Sequence, residues 1–309
     1  MRNTLKKTPQ QPFSSRLLRG AGYGLIATSI WGLWLALTRR GVNTTLTAAD
    51  ITAIRFFVSG FILLPVVLRR GIAVGQFGWK GGVLLTFCVG APYTLIVATA
   101  LRHSEAAHAT LAYGTKPIFI AFFTWLIFKE PIALQRVIGF IVSISGLIIL
   151  TTQVGETHTE FSYYSLYFLV GALAWATFTM ATKAWKVDAL HATAIVAVLS
   201  CVGYVPYYVL NGHLDHLMNV PPTDILLQAI VQGVLTAIIA LWAYGKAIAY
   251  LGASRAGFFP ILAPVVGTLI AVPLLNETPS LNQIIGMTVV CIGFLLGLNL
   301  QIKKIYRYF

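Results

Sequence analysis

Acidic residues are scarce: nine of 309, namely Asp50, Glu105, Glu130, Glu156, Glu160, Asp188, Asp215, Asp224 and Glu277. None falls near the middle of an apolar run. A proton or sodium relay through a bilayer normally needs a carboxylate at depth. A dedicated carboxylate coupling site is therefore not expected. Cysteine is equally sparse, and Cys88, Cys201 and Cys291 each fall inside an apolar run. An odd number of buried thiols reads as small hydrophobes, not as a disulfide framework or a metal site. The chain also lacks H-E-x-x-H, G-x-S-x-G and a phosphate-binding P-loop, so neither an enzyme nor a bound cofactor is expected. His213 and His216, spaced H-L-D-H, read as a solvated loop, with metal binding as the alternative.

What the chain has in quantity is apolar surface. Hydrophobic residues make up 57%, charged residues only 10%, and the mean hydropathy is +0.79. Such a composition belongs to an integral membrane protein. A crossing helix needs about 20 mostly apolar residues, and ten candidate runs lie near 20–38, 50–68, 82–101, 106–128, 132–152, 164–182, 191–210, 225–248, 254–275 and 281–300. The first is too long for a signal peptide's apolar region and lacks a small-residue cleavage pattern, so it reads as a helix. The expected fold is an all-α membrane protein with ten transmembrane helices joined by short connections.

The net charge of +13 does not indicate nucleic acid, because its distribution follows a membrane. Of the 22 lysines and arginines, Arg55, Lys116 and Lys246 lie within spans. If the N-terminus is cytoplasmic and the spans alternate, only Arg39, Arg40 and Arg102 fall outside and the remaining sixteen fall inside. The positive-inside rule then places both termini in the cytoplasm of a cell-membrane protein.

The sequence also repeats itself. Shifted by 147 residues, 101–150 falls on 248–297 without a gap, pairing Ala106 with Ala253, Pro117 with Pro264, Glu130 with Glu277, Gly139 with Gly286 and Gly146 with Gly293. An offset of 144 pairs Trp31 with Trp175 and Thr38 with Thr182. The expected organisation is a segment 1–19, a first repeat 20–152, a second repeat 164–300 and a tail 301–309. Five helices per copy is an odd number, so the two five-helix repeats are inverted, an architecture associated with alternating access.

These features together resemble the drug/metabolite transporter superfamily, EamA branch. They are the two inverted five-helix halves, a tryptophan in the first helix of each, Arg55-Phe56 in the second, and a proline thirteen residues before a glutamate in each half. The resemblance covers nearly the whole chain and implies a multi-pass transporter of small metabolites around a central cavity. Amino acids or related carboxylates are the solutes expected. Organic phosphates or nucleotide-linked compounds are the alternative within the class, and a membrane-embedded enzyme or receptor is the alternative outside it. A homodimer is compatible with the sequence.

Lys116 is the leading site candidate. It lies mid-span and follows Tyr113 on one helical face, whereas the repeat answers it with Ala263. A cation there focuses anions, so an anionic or zwitterionic solute is expected. Arg55 either bonds carbonyls of a neighbouring helix or contacts solute. Trp31, Tyr93, Trp175 and Tyr244 are the aromatic candidates for the cavity wall, on the helices that the resemblance makes cavity-forming. Pro117, Pro260 and Pro264 are candidate hinges, since each removes a helical hydrogen bond.

Overall fold

The computed structural model describes residues 13–40, 46–103, 106–129, 133–151, 164–275 and 278–298. The first and last expected segments therefore lie largely outside it. Among the described residues every regular element is helical. In chain order these are α1 (Phe13–Arg40), α2 (Ala48–Arg70), α3 (Gly78–Val89), α4 (Ala91–His103), α5 (Ala106–Phe128), α6 (Leu134–Thr151), α7 (Tyr164–Ala184), α8 (Ala189–Leu210) and the short α9 (His213–Met218). Next come α10 (Pro222–Gln228), a π-helical run Ala229–Ala240, α11 (Leu241–Leu251), α12 (Ala253–Ala256), a 3-10 turn Phe259–Leu262, α13 (Ala263–Leu275) and α14 (Leu281–Gly297). Among the described residues eight stretches are long and apolar enough to cross a membrane, and Gly114–Phe128 and Leu281–Gly297 are shorter apolar helices.

Several expected spans are not single α-helices. The third is broken at Gly90, between α3 and α4. A break at membrane depth must satisfy its backbone internally. Here the Ser200 hydroxyl on α8 accepts the Ala91 N–H at 3.0 Å, buried. The ninth is divided into α12, the 3-10 turn and α13. Pro264 has no N–H to offer the Pro260 carbonyl, and the Ala263 N–H bonds that carbonyl instead. The Phe259 carbonyl is thereby released from the helical ladder, and Thr28 of α1 donates to it at 3.0 Å.

Small residues set the closest approaches, as expected where lipid removes the hydrophobic drive between helices. α6 and α14 pack through Gly139, Ser143, Gly146 and Leu150 on one side and Gly286, Val290, Gly293 and Gly297 on the other. A Cβ at Gly139 would come within 2.7 Å of Gly297 Cα and Gly293 O, and one at Gly286 within 2.6 Å of Leu150 Cα. The contacts are closed under the 147-residue repeat. Gly139–Gly297 maps onto Gly286–Leu150, and Ser143–Gly293 onto Val290–Gly146. Numbers rise along one helix as they fall along the other, so these two equivalent helices run antiparallel about a local twofold. The same logic extends outward: α1 packs on α13 and α11, while its counterpart α7 packs on α5, α3 and α4.

α2 and α8 form a second pair, tied at both ends. At one end Thr47 and Asp50 close a capping box. The buried Asp50 carboxylate also accepts from the Tyr208 hydroxyl at 2.6 Å and stands 3.0 Å from His216 Nδ1. At the other end Arg70 Nη1 donates to Asp188 Oδ1 at 2.9 Å, and Asp188 caps α8 through the His191 N–H.

Candidate functional site

α1, α4, α5, α7 and α11 converge on one aromatic cluster. Trp31 of α1 and Trp175 of α7, equivalent under the repeat, meet edge to face with centroids 5.1 Å apart. Tyr244 of α11 lies 5.5 Å from Trp31 and 5.2 Å from Trp175. Tyr93, three residues past the Gly90 break, reaches Trp175 at 5.9 Å. Over the face of Trp175 stands the ammonium of Lys116, 4.6 Å from the ring centroid.

The centre of the cluster is buried, and Tyr93 at its edge is part-buried. Relative exposure is 0% for Tyr244, 5% for Lys116 and 6% for both Trp31 and Trp175. A cation at the centre of a spanning helix costs about 2.5–3.5 kcal/mol on insertion scales. A desolvated cation–π contact returns about 2 kcal/mol, so Trp175 carries much of that burden. The polar atoms around it are ordered in sequence. Thr179 donates to the Trp175 carbonyl at 2.9 Å, which leaves its oxygen to accept from Tyr244 at 3.1 Å. Trp175 Nε1 is buried beside the Tyr244 hydroxyl. The arrangement brings a lysine, an indole N–H and apolar walls together.

The remaining candidates are placed differently. The Arg55 guanidinium lies 5.4 Å from the ring of its own neighbour Phe56, and its charge is felt at Tyr93. The side chain of Tyr113 lies outside those described. Pro117 sits inside α5, which runs through it unbroken, so the two halves differ at their equivalent prolines. Pro260 lies in the 3-10 turn and Pro264 at the start of α13, both buried. His216 belongs to an exposed short helix and is held by Asp50, and His213 stacks on Tyr208 at 5.3 Å. The described residues contain no group of three or more histidine, cysteine or acidic side chains placed to hold a metal.

Two features went unnoticed in the sequence. Asp50 stands at a span's end, where a depth criterion passes over it, although T-x-x-D before an apolar run is a capping signal. Gln232 is a buried amide within the eighth span, 3% exposed, and two glutamines in an apolar run, Gln228 and Gln232, were signal enough to find it.

Similar proteins are transporters by name. The chain is 20% identical over 286 residues to the uncharacterized transporter YoaV of Bacillus subtilis, covering 89% of this chain and 95% of that protein. It is 24% identical over 227 residues to the uncharacterized transporter YdfC of the same organism, covering 73% of each. An uncharacterized transporter of Acidianus ambivalens is 23% identical over 260 residues, covering 82% of this chain and 94% of its own. A crystal structure shares the fold at a TM-score of 0.66 and 20% identity, over 94% of this chain and 99% of its own. The pattern of the EamA-like transporter family matches twice, at residues 18–152 and 162–298. With nearly its whole length inside those two matches, the chain belongs to the EamA-like transporter family, and it is a multi-pass membrane transporter.

Proposed function

We propose that the chain exports or exchanges small acidic or zwitterionic metabolites, amino acids or related carboxylates, by alternating access across the cell membrane. In this reading ten segments cross, the shorter Gly114–Phe128 and Leu281–Gly297 included, and both termini face the cytoplasm. The observation that carries it is Lys116: a lysine 5% exposed, over Trp175, at the buried centre of an aromatic cluster. A buried cation acts on solute only if the helices part, first to one side and then to the other. An acid group meeting Lys116 and Trp175 Nε1 would gain two donors, with Trp31, Tyr93 and Tyr244 holding its apolar part. The unequal prolines supply places to bend, Pro117 in a continuous helix and Pro260 and Pro264 in a divided one. The twofold α6–α14 contact supports the inverted topology.

Uptake by inside-out vesicles, with a panel of amino acids, organic acids, phosphorylated compounds and cationic drugs, tests this. The expected outcome is preference for solutes bearing an acid group, strongly reduced uptake by Lys116→Ala at normal membrane abundance, and partial activity of Lys116→Arg, whose charge persists in another geometry. Preference for cationic drugs, or unchanged uptake of the best anion by Lys116→Ala, overturns it.

A further inference from the structure

A second polar locus lies in the first half of α2 and where α10 passes into the π-helical run. Gln232, 3% exposed, has an Oε1 with no donor among the described residues, and so has Gln228, one turn earlier. A buried amide oxygen left unpaired costs about 1–3 kcal/mol, so two in one helix ask for an explanation.

The helix that carries them is fixed in register against α2. Ala229 packs in the cluster of Ile54, a Cβ at Gly233 would come within 2.7 Å of Val58 Cβ, and Ile238 packs in the cluster of Leu63. In each pair the two numbers differ by 175, so the helices run parallel and Arg55 stands level with residue 230. That level lies between the two glutamines. Gln232 is buried, and Arg55 and Gln228 are part-buried. Phe57, Phe61, Leu64 and Leu68 form the exposed stripe of α2, and Arg55, two residues before Phe57, lies about 200° away from it. Ile230 is exposed on the other helix, and Gln232, two residues on, turns to the opposite side, roughly 160° off in a helix that closes i to i+5.

π-helix is rare beyond a single turn, yet here it runs from Ala229 to Ala240, and the Thr236 hydroxyl bonds back to Val231 O, five residues earlier, at 2.7 Å. Gln232 and Thr236, both buried, share one face of that run. Tyr93 joins this locus to the central cluster, since it touches Trp175 and its helix α4 packs on α2.

We propose that Arg55, Gln228 and Gln232 form a second solute subsite, which takes a solute carrying an acid group and, beside it, a hydrogen-bond donor such as an ammonium or hydroxyl. Arg55 receives the acid group and the glutamine oxygens receive the donor. The proposal rests on the anion reading of Lys116 and adds to it a requirement for the donor.

Three probes of one skeleton separate the two ideas: L-phenylalanine, L-3-phenyllactate and 3-phenylpropionate, measured as uptake into proteoliposomes holding the full chain. The wild type is expected to favour the two donor-bearing probes over 3-phenylpropionate by about tenfold or more. Gln232→Leu should bring that ratio close to one, chiefly by lowering uptake of the two donor-bearing probes, and Gln228→Leu should lower it in the same direction. Removing an unsatisfied amide does not threaten folding, and a melting midpoint at or above the wild-type value confirms this for each variant. An unchanged ratio in Gln232→Leu, or a wild type indifferent to the donor, overturns the subsite even if Lys116→Ala abolishes uptake of all three. Unchanged uptake of all three by Lys116→Ala overturns the central reading instead. A wild type that moves none of them overturns both.

Discussion

Gly139→Ala adds a single methyl group where α6 meets α14. Its Cβ would come within 2.7 Å of Gly293 O and Gly297 Cα, whereas ordinary contact begins near 3.4 Å. The Gly297 N lies closer still, and all three atoms are backbone, so no side chain can rotate away and the helices must separate by about 1 Å or tilt. Overpacking of this kind costs about 1–3 kcal/mol, and the upper part of that range applies when the obstruction is main chain. Against it stands the helical preference of alanine over glycine, at most about 1 kcal/mol. The net expectation is a loss of about 1–2 kcal/mol, or a fall of roughly 2–8 °C in the apparent melting midpoint. Because the contacts map onto one another under the repeat, Gly286→Ala, which meets Leu150 Cα at 2.6 Å, should fall by a similar amount. Gly22 and Gly203 provide the controls, since a Cβ at either meets nothing within 4 Å. Gly22→Ala and Gly203→Ala should hold or gain stability. Thermal unfolding of the five proteins in one detergent, followed by cysteine-reactive fluorescence or by loss of the monodisperse peak, measures this. Melting of Gly139→Ala and Gly286→Ala level with the two controls would refute the close seam and the twofold drawn from it.

The ends of the α2–α8 pair give further expectations. Tyr208→Phe removes the 2.6 Å bond to the buried Asp50 carboxylate and should lower stability by about 1.5–3 kcal/mol, as for hydrogen bonds to charged groups, read by the same melts. Ser200→Ala takes away the acceptor of the Ala91 N–H at the Gly90 break. It should cost about 1–3 kcal/mol and raise amide exchange at Ala91, and unaltered exchange would count against the break as drawn. At Asp188, burial pushes the carboxyl up, but the His191 N–H and the Arg70 guanidinium more than offset this and hold it below 3.8. A lowered folded value means stability that is present above the unfolded pKa and lost as pH falls through the folded one. Asp188→Asn keeps the helix cap and should be weaker than wild type at pH 7 by under about 1 kcal/mol, the pair being half exposed. That gap should close in acid well below pH 3.8, and a gap that persists there would mean the charge is not what matters.

The central cluster could be read in the sequence because its members are conspicuous there. A lysine in LAYGTKPIFIAFF, and Trp31 paired with Trp175 by the repeat, mark themselves against an apolar background, and the structure brings both together with Tyr93 and Tyr244. The helix breaks were less legible. Gly90-Ala91-Pro92 is a stop followed by a start, yet hydropathy runs straight through it. The π-helical run AIVQGVLTAIIA carries no local signal at all. Nothing in that string distinguishes i to i+5 from i to i+4 bonding, and what the structure adds is its packing on α2 at Val58 and Leu63.

The repeat accounts for why the two halves differ at the position where they were expected to match. Pro117 and Pro264 are equivalent at an offset of 147, and both lack an N–H, yet α5 stays whole while the ninth span divides. Division releases the Phe259 carbonyl, and Thr28 takes it up. At the 144-residue offset that pairs Trp31 with Trp175, the residue equivalent to Thr28 is Ala172, which has no hydroxyl to give. A released carbonyl in the first half would be left without that donor in a low-dielectric interior, where an unpaired backbone group costs several kcal/mol. The continuous half is also the one that carries Lys116, where the second half has Ala263. One threonine in α1 thus favours a divided helix on one side of the twofold, while the cation is held on an unbroken helix on the other.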